Sequence, residues 1–361
     1  MKKKPIVGIT MGDPFGNGAE VTAKALNYCE IYNVCRPVVI GDQCCMERAL
    51  QTVKKTTGAH LVLHVIRNID DAKFQYGTID IMNLGLVSDK SLPDFKSDEQ
   101  PKPYGIGPCK EGGEAAFQYV KKVIELAMDG QVDATVTNAI SKEAINMAGH
   151  HFSGHTEIYA YYTNTKKYAM MLAHEDLRVI HVSTHVSLRE ACNRVKRERV
   201  LDCIRMGNEA CKALGITTPK IAVAGLNPHC GENGMFGTEE KEEIQPAIDE
   251  ALLEGICIPD KKPVPPDSVF SKAIGGWYDI VVAMYHDQGH IPLKVKGFVF
   301  NREKKQWDAV AGINVTLGIP IIRVSVDHGT GYDMAGNGLS NELSLVNSIE
   351  AAVQMANYKN A

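Results

Sequence analysis

Short runs rich in valine and isoleucine alternate along this chain with longer stretches of helical periodicity, and few folds accommodate that alternation. The apolar runs at residues 5–10, 37–41, 134–137, 177–182, 221–226, 280–284 and 321–326 are bounded by Gly, Pro or Asn and read as largely buried strands. Helices are predicted over 19–28, 114–128, 142–148, 188–214, 240–253 and 349–356; in the second, Ala116, Val120, Val123 and Ala127 share one face. The pattern predicts an α/β fold with a mostly parallel sheet covered by helices on both faces. A chain of 361 residues has length for two α/β/α domains with a central cleft. Crossings near 138 and 297 would make these 1–138 plus 297–361, and 139–296. Residues 70–104, charged and carrying Pro93, Pro101 and Pro103, read as loops around an edge hairpin, and 298–307 as a polar hairpin tip.

Four of the apolar runs are followed within two or three residues by a histidine: His185, His229, His286 and His328. Open α/β sheets bind ligands beyond the carboxyl ends of their strands, so these imidazoles are expected on a functional rim. Three of them, His185, His229 and His286, come from separate strand ends, unlike a local zinc knuckle. They fit a metal held by three protein ligands with a position left for substrate. Glu232 and Asp287 stand near enough in sequence to orient the ring nitrogens.

Composition removes other classes. With 39 basic against 43 acidic residues the formal charge is −4, and no Lys/Arg block appears, so nucleic acid is not an expected partner. No stretch approaches the ~20 apolar residues of a membrane span, and the apolar run after Met1–Lys4 is too short for an export signal. A cytoplasmic location is expected. None of the ten cysteines forms a C-x-x-C pair, which argues against a redox or zinc motif, and Cys230 beside His229 reads as loop filler.

The remaining motifs are polar turns at strand ends. M-G-D-P-F-G-N-G-A-E (11–20) joins a strand to a helix, with Gly12 and Gly16 permitting close backbone approach to an anion. S-G-H-T-E (153–157) opens a helix with His155 and Thr156; taken alone, a plain N-cap by Thr156 is the favoured reading. Y-H-D-Q-G-H-I-P-L-K (285–294) carries His286, Asp287 and Lys294. In R-V-S-V-D-H-G-T-G-Y-D-M-A-G-N-G (323–338), Arg323 calls for an anion or a buried salt bridge. There His328, Gly329 and Thr330 follow a strand, Asp333 suits a ribose hydroxyl, and Gly336 and Gly338 would keep the backbone open for a flat or phosphorylated group.

In their order these segments resemble the 4-hydroxythreonine-4-phosphate dehydrogenase family, nearly end to end, from G-D-P-x-G-x-G-x-E at 12–20 to D-H-G-T-x-x-D-x-A-G-x-G at 327–338. The resemblance implies a fold akin to the isocitrate and isopropylmalate dehydrogenases. It also implies an NAD-dependent, metal-assisted homodimer with its active site at the domain cleft and subunit interface. On that pattern 1–138 plus 297–361 is the cofactor side, and 139–296 the metal, substrate and dimerisation side. His185, His229 and His286 match the family's divalent-metal ligands, one from the partner subunit, with zinc, cobalt, manganese or magnesium compatible. His155, Thr156, Lys294, Asn314 and Arg323 match its substrate contacts, and the loop around His328 resembles the cofactor loop of the decarboxylating dehydrogenases. Gly12, Gly16, Gly329, Thr330 and Asp333 complete the expected cofactor set, and Lys294 and Asp287 are the candidate bases.

The phrases N-P-H-C-G-E-N-G-M-F-G and V-V-A-M-Y-H-D-Q-G-H-I-P-L-K look closer to the branch acting on D-threonate or D-erythronate 4-phosphate. Oxidation there, followed by decarboxylation, would give dihydroxyacetone phosphate and CO2. The alternatives are the vitamin B6 biosynthetic enzyme, an aromatic cis-diol carboxylate dehydrogenase, and a non-catalytic phosphosugar sensor.

Overall fold

The structure is a computed structural model that describes residues 3–93, 100–297, 300–303, 306–307 and 311–361. Its strands are β1 (Ile6–Thr10), β2 (Arg36–Gly41), β3 (Val62–Ile66), β4 (Thr78–Asn83), β5 (Ala134–Thr137), β6 (Ala169–His174) and β7 (Leu177–His181). They continue with β8 (Ile221–Val223), β9 (Ile280–Ala283), β10 (Phe300–Asn301), β11 (Gln306–Trp307), β12 (Ile313–Leu317) and β13 (Arg323–Val326). The chain forms two compact units, Met1–Lys166 with Ile319–Asn357, and Lys167–Gly318 with Tyr358–Ala361.

The first unit orders its strands β3-β4-β2-β1-β5-β13, every pair parallel. Val7, Ile9, Val38, Ile40, Ala134 and Val136 are wholly buried on it. Burying one such aliphatic side chain contributes about 1.5–3 kcal/mol, which is why these runs settle in the sheet's interior. In the second unit the order is β12-β6-β7-β9-β8: β6 is antiparallel to both neighbours, while β7, β9 and β8 run parallel. The core under that sheet includes Leu172, Val179, Phe270, Val281 and Leu293.

The chain passes between units later than the sequence pattern placed it, after Lys166 and again after Gly318. Helix Lys142–Met147 belongs to the first unit because it lies hard against helix Lys110–Met128. A Cβ on Gly113 would stand 1.9 Å from the Ala144 carbonyl oxygen, so only glycine permits that approach.

Residues 70–104 depart from expectation. No edge hairpin forms there among the described residues; β4 is an interior strand, parallel to both β2 and β3. Asp80 disguises it in the sequence. That carboxylate is buried between Ile79 and Ile81, and it accepts from Lys73 N (3.1 Å), Phe74 N (2.8 Å) and the His64 ring (2.7 Å). Residues 94–99 lie outside the described residues, as does part of the expected 298–307 hairpin, of which β10 and β11 pair antiparallel.

One glycine in this unit reverses the usual rule. Gly289 lies inside helix His286–Gly297, where alanine ordinarily gains about 0.5–1 kcal/mol over glycine. Here an added Cβ would stand 2.4 Å from His181 Nε2 and 2.7 Å from Val179 Cγ1, both fully buried. Gly289→Ala is therefore expected to destabilise the protein by about 1–3 kcal/mol, read by denaturant unfolding.

Candidate active site

Each unit carries its own cluster of polar side chains at strand carboxyl ends. In the first unit three loops, after the adjacent parallel strands β1, β5 and β13, are bonded together. Asp13 N donates to the Ala139 carbonyl (3.0 Å), Asn17 N to the Thr330 carbonyl (2.8 Å), and Tyr332 OH to Asp13 Oδ2 (2.6 Å). Burial raises the Asp13 pKa, opposed by the bonds from Tyr332 and Phe15 N. The glycines predicted to admit an anion are filled by this packing. A Cβ on Gly12 would meet the Ala139 oxygen at 2.7 Å, and one on Gly16 the Thr330 oxygen at 2.6 Å. Gly336 and Gly338 likewise do not lie open to a ligand. Their N–H groups donate to the buried Glu20 carboxylate, and added Cβ atoms would meet Tyr104 and Thr56. Gly329 has no atom within 4 Å of its Cβ position, and the His328 ring donates from Nδ1 to its carbonyl (2.8 Å). Asp333 is exposed.

Beside these loops Arg323, at the start of β13, is buried and donates to Thr137 Oγ1 (3.0 Å). Its guanidinium lies 5.7 Å from the centre of the Tyr159 ring, and Tyr159 OH donates to Thr135 Oγ1 (2.9 Å). That bond ties helix His155–Tyr162 to β5 and sets His155 near Arg323. Burial draws the Arg323 pKa down to about 10, so the side chain stays charged at neutral pH. Burial, then the Arg323 charge, holds the His155 pKa well below its usual value; its Nε2 is enclosed without a hydrogen-bond partner. A guanidinium, a neutral imidazole and the N–H groups of a helix's first turn, where Thr156 sits, form a coherent set for an anionic ligand. Lys142, not singled out by the sequence reading, brings its Cε within 3.9 Å of the Cβ position of Gly154 at the same helix start.

In the second unit the three strands that precede His185, His229 and His286 are neighbours running in one direction, so their histidines leave the same rim. Ser183 Oγ donates to the Met284 carbonyl (3.1 Å), binding the first loop to the third. Gln288 accepts from Met284 N (2.7 Å) and donates to the Gly225 carbonyl (2.8 Å), which fixes the start of helix His286–Gly297 over β9 and β8. The His185 and His286 rings stand 5.8 Å apart. Asp287 Oδ1 lies 2.7 Å from His286 Nδ1; a carboxylate accepts, so Nδ1 carries the proton and Nε2 keeps its lone pair for a ligand.

His229 does not join that pair within one chain. It is exposed, with Nδ1 3.4 Å from Glu232 Oε2, and among the described residues no group of three or more His, Cys, Asp or Glu is arranged to hold a metal ion. Its loop is a left-handed coil: φ is 52° at His229, 57° at Cys230, 77° at Gly231, 43° at Glu232 and 58° at Asn233. Buried Glu240 anchors it, accepting from Leu226 N (2.8 Å), Asn227 N (2.7 Å) and Asn227 Nδ2 (3.0 Å). Cys230 packs against Gly225, and burial pushes its thiol up to about 11, in keeping with a packing role.

Two further histidines, absent from the sequence analysis, lie beside His286. His290 stacks on His286, with ring centres 3.6 Å apart and planes 11° from parallel, and His181 lies 4.7 Å from His290. Burial pushes His181 down to about 3 and His290 down to about 4, so both are neutral at physiological pH. His286, His290 and Lys294 follow one another at four-residue intervals along one stripe of the helix. Asn314 is half-buried on β12 opposite Leu172.

A largely parallel α/β sheet with polar clusters at its strand ends is consistent with an enzyme scaffold, and sequence comparison narrows the class. Residues 33–352 match the family model of the pyridoxal phosphate biosynthetic protein PdxA, and the chain belongs to that family. It is 41% identical over 353 residues to the D-threonate 4-phosphate dehydrogenase of Cupriavidus necator, covering 98% of this chain and 97% of the relative. It is 40% identical to the 4-hydroxythreonine-4-phosphate dehydrogenase of Desulforapulum autotrophicum, covering 99% and 97%. The crystal structure of a 4-hydroxythreonine-4-phosphate dehydrogenase from Burkholderia phymatum superimposes with a TM-score of 0.76 at 39% identity, covering 98% of this chain and 99% of that one. The protein is an oxidoreductase of this dehydrogenase family. No described helix is long and apolar enough to cross a membrane.

Proposed function

We propose that the protein oxidises a phosphorylated four-carbon hydroxy acid, D-threonate or D-erythronate 4-phosphate, with NAD as hydride acceptor, and that loss of CO2 gives dihydroxyacetone phosphate. The observation that carries this reading is the likeness to the D-threonate 4-phosphate enzyme over 98% of the chain. NAD, when bound, would supply the hydride acceptor for the alcohol carbon; the hydroxyl proton would go to a base, and the resulting 3-keto acid would lose CO2 and take a proton at the adjacent carbon. Arg323, His155 and Thr156 would hold an anionic end of the substrate; Lys294 and Asn314 match the family's remaining substrate contacts. His328, Gly329, Thr330 and Asp333 are the cofactor-side residues under this reading.

His185 and His286, with His229 of a second copy in a homodimer, would hold a divalent cation; the lone pair that Asp287 leaves on His286 Nε2 suits that role. Bound there, such a cation would supply Lewis-acid chemistry, lowering the pKa of the substrate hydroxyl and stabilising negative charge on its oxygen. Ile291 and Val295, exposed on the same helix, are apolar surface that a homodimer would cover. Asp287 is engaged with His286, so the base under this reading is Lys294.

The test is reduction of NAD by the full-length protein with zinc, cobalt, manganese or magnesium. The panel is D-threonate 4-phosphate, D-erythronate 4-phosphate, 4-hydroxythreonine 4-phosphate and unphosphorylated threonate. One of the first two is expected to turn over fastest and the last to be inert; fastest turnover of 4-hydroxythreonine 4-phosphate would overturn the substrate assignment. His229→Ala is expected to stay folded while losing metal and turnover, and full activity of that variant in the presence of a chelator would refute the metal role.

A further inference from the structure

Four imidazoles are gathered at the carboxyl ends of β7 and β9, and the reaction assigned above uses two of them. The others, His290 and His181, are arranged behind His286 in a definite order. His290 lies flat on His286, with ring centres 3.6 Å apart and planes 11° from parallel. His290 Nδ1 donates to the His286 carbonyl (3.0 Å), so this ring is held to the turn that carries its neighbour. Behind it His181, the last residue of β7, is wholly buried, with its ring centre 4.7 Å from that of His290. His181 Nδ1 donates to the Met170 carbonyl (3.3 Å), and its Nε2 edge occupies the notch left by Gly289. Strand β7 thus braces His181, His181 braces His290, and His290 covers one face of His286.

We infer that His290, backed by His181, is a positioning residue that fixes the plane of the His286 ring while Asp287 fixes its edge. The inference rests on the metal reading of His286. A ligand imidazole must hold both its lone-pair direction and its tilt, and one hydrogen bond at Nδ1 leaves rotation about that bond open. A flat ring against the face closes it. A side chain that merely fills space would govern stability; one that sets the tilt governs the affinity of the metal.

The experiment compares full-length wild type with His290→Leu, His290→Gln and His290→Phe. Zinc affinity is read by competition with a chromophoric chelator, and ligand geometry by the visible spectrum of the cobalt(II) form. Leucine and glutamine remove the ring and are expected to weaken zinc roughly 10–100-fold, as loss of a residue that orients a ligand does, and to alter the cobalt bands. Phenylalanine keeps a flat ring and is expected to retain affinity within about threefold. Folded Leu or Gln variants that bind zinc as wild type does would overturn the inference. So would a Phe variant as weak as they are, since the ring plane would then be irrelevant. Wild type that binds no zinc or cobalt would remove the metal reading itself, and that result is distinct from tight wild-type binding with unaffected variants.

Discussion

Arg323→Lys is expected to lower kcat/KM for the phosphorylated hydroxy acid by roughly a thousandfold, and Arg323→Met by at least as much. Both follow from the burial of the guanidinium beside Thr137 and the Tyr159 ring. A planar fork can donate to Thr137 with one nitrogen and face an anion with the others. An ammonium is a single point with a larger hydration shell to shed, so lysine is not a conservative replacement here. Losing one desolvated charged contact costs about 2–5 kcal/mol, and about 4 kcal/mol, in the upper half of that range, corresponds to about a thousandfold. Steady-state kinetics check it, with NAD saturation held fixed. A fall confined to KM would mean that Arg323 holds ground state and transition state alike; unchanged kinetics would remove it from the site.

If His286 is a metal ligand as proposed, His286→Ala is expected to abolish stoichiometric metal binding and to lower kcat by roughly a thousandfold, matching the several kcal/mol that a bound cation would give the developing oxyanion. Asp287→Asn is the informative companion. An amide can present either a donor or an acceptor to Nδ1, so the proton on that nitrogen is no longer enforced. Metal affinity should fall roughly 10–100-fold while the fold is kept. Equal kcat loss in the two variants, with metal retained in Asp287→Asn, would instead make Asp287 the proton acceptor and displace Lys294 from that role.

Much of this molecule is legible from its residues, because the strands that carry the histidines are apolar throughout. Each of the four runs before His185, His229, His286 and His328 contains a strand, and three of them lie side by side in one direction. Strand β4 is not legible in the sequence, because Asp80 interrupts the apolar run expected of a strand buried on both faces, and the partners that neutralise the cost, His64 and two backbone N–H groups, come from residues a pattern cannot connect. His290 stands four residues beyond His286, but the sequence pattern predicts no helix over 286–297, so the stripe the two share appears only in the structure. His181 carries no readable signal, since a histidine inside an apolar run looks like an interruption of the strand. The glycines have a packing reason that a sequence pattern does not display: at Gly12, Gly16, Gly336 and Gly338 the place of a Cβ is taken by the protein's own backbone and side chains.

The coil at His229–Asn233 has the hand that L-amino acids resist, at about 1–2 kcal/mol per residue that is not glycine. Its chirality restricts which sequences can occupy it: a valine, isoleucine or threonine at any of those positions would clash with its own carbonyl, whereas asparagine or glycine would settle in readily. The direction of the His229 side chain is thus inherited from a mirror-sense backbone held in place by the carboxylates of Glu239 and Glu240, and the loop would tolerate a D-residue better than a branched L-residue.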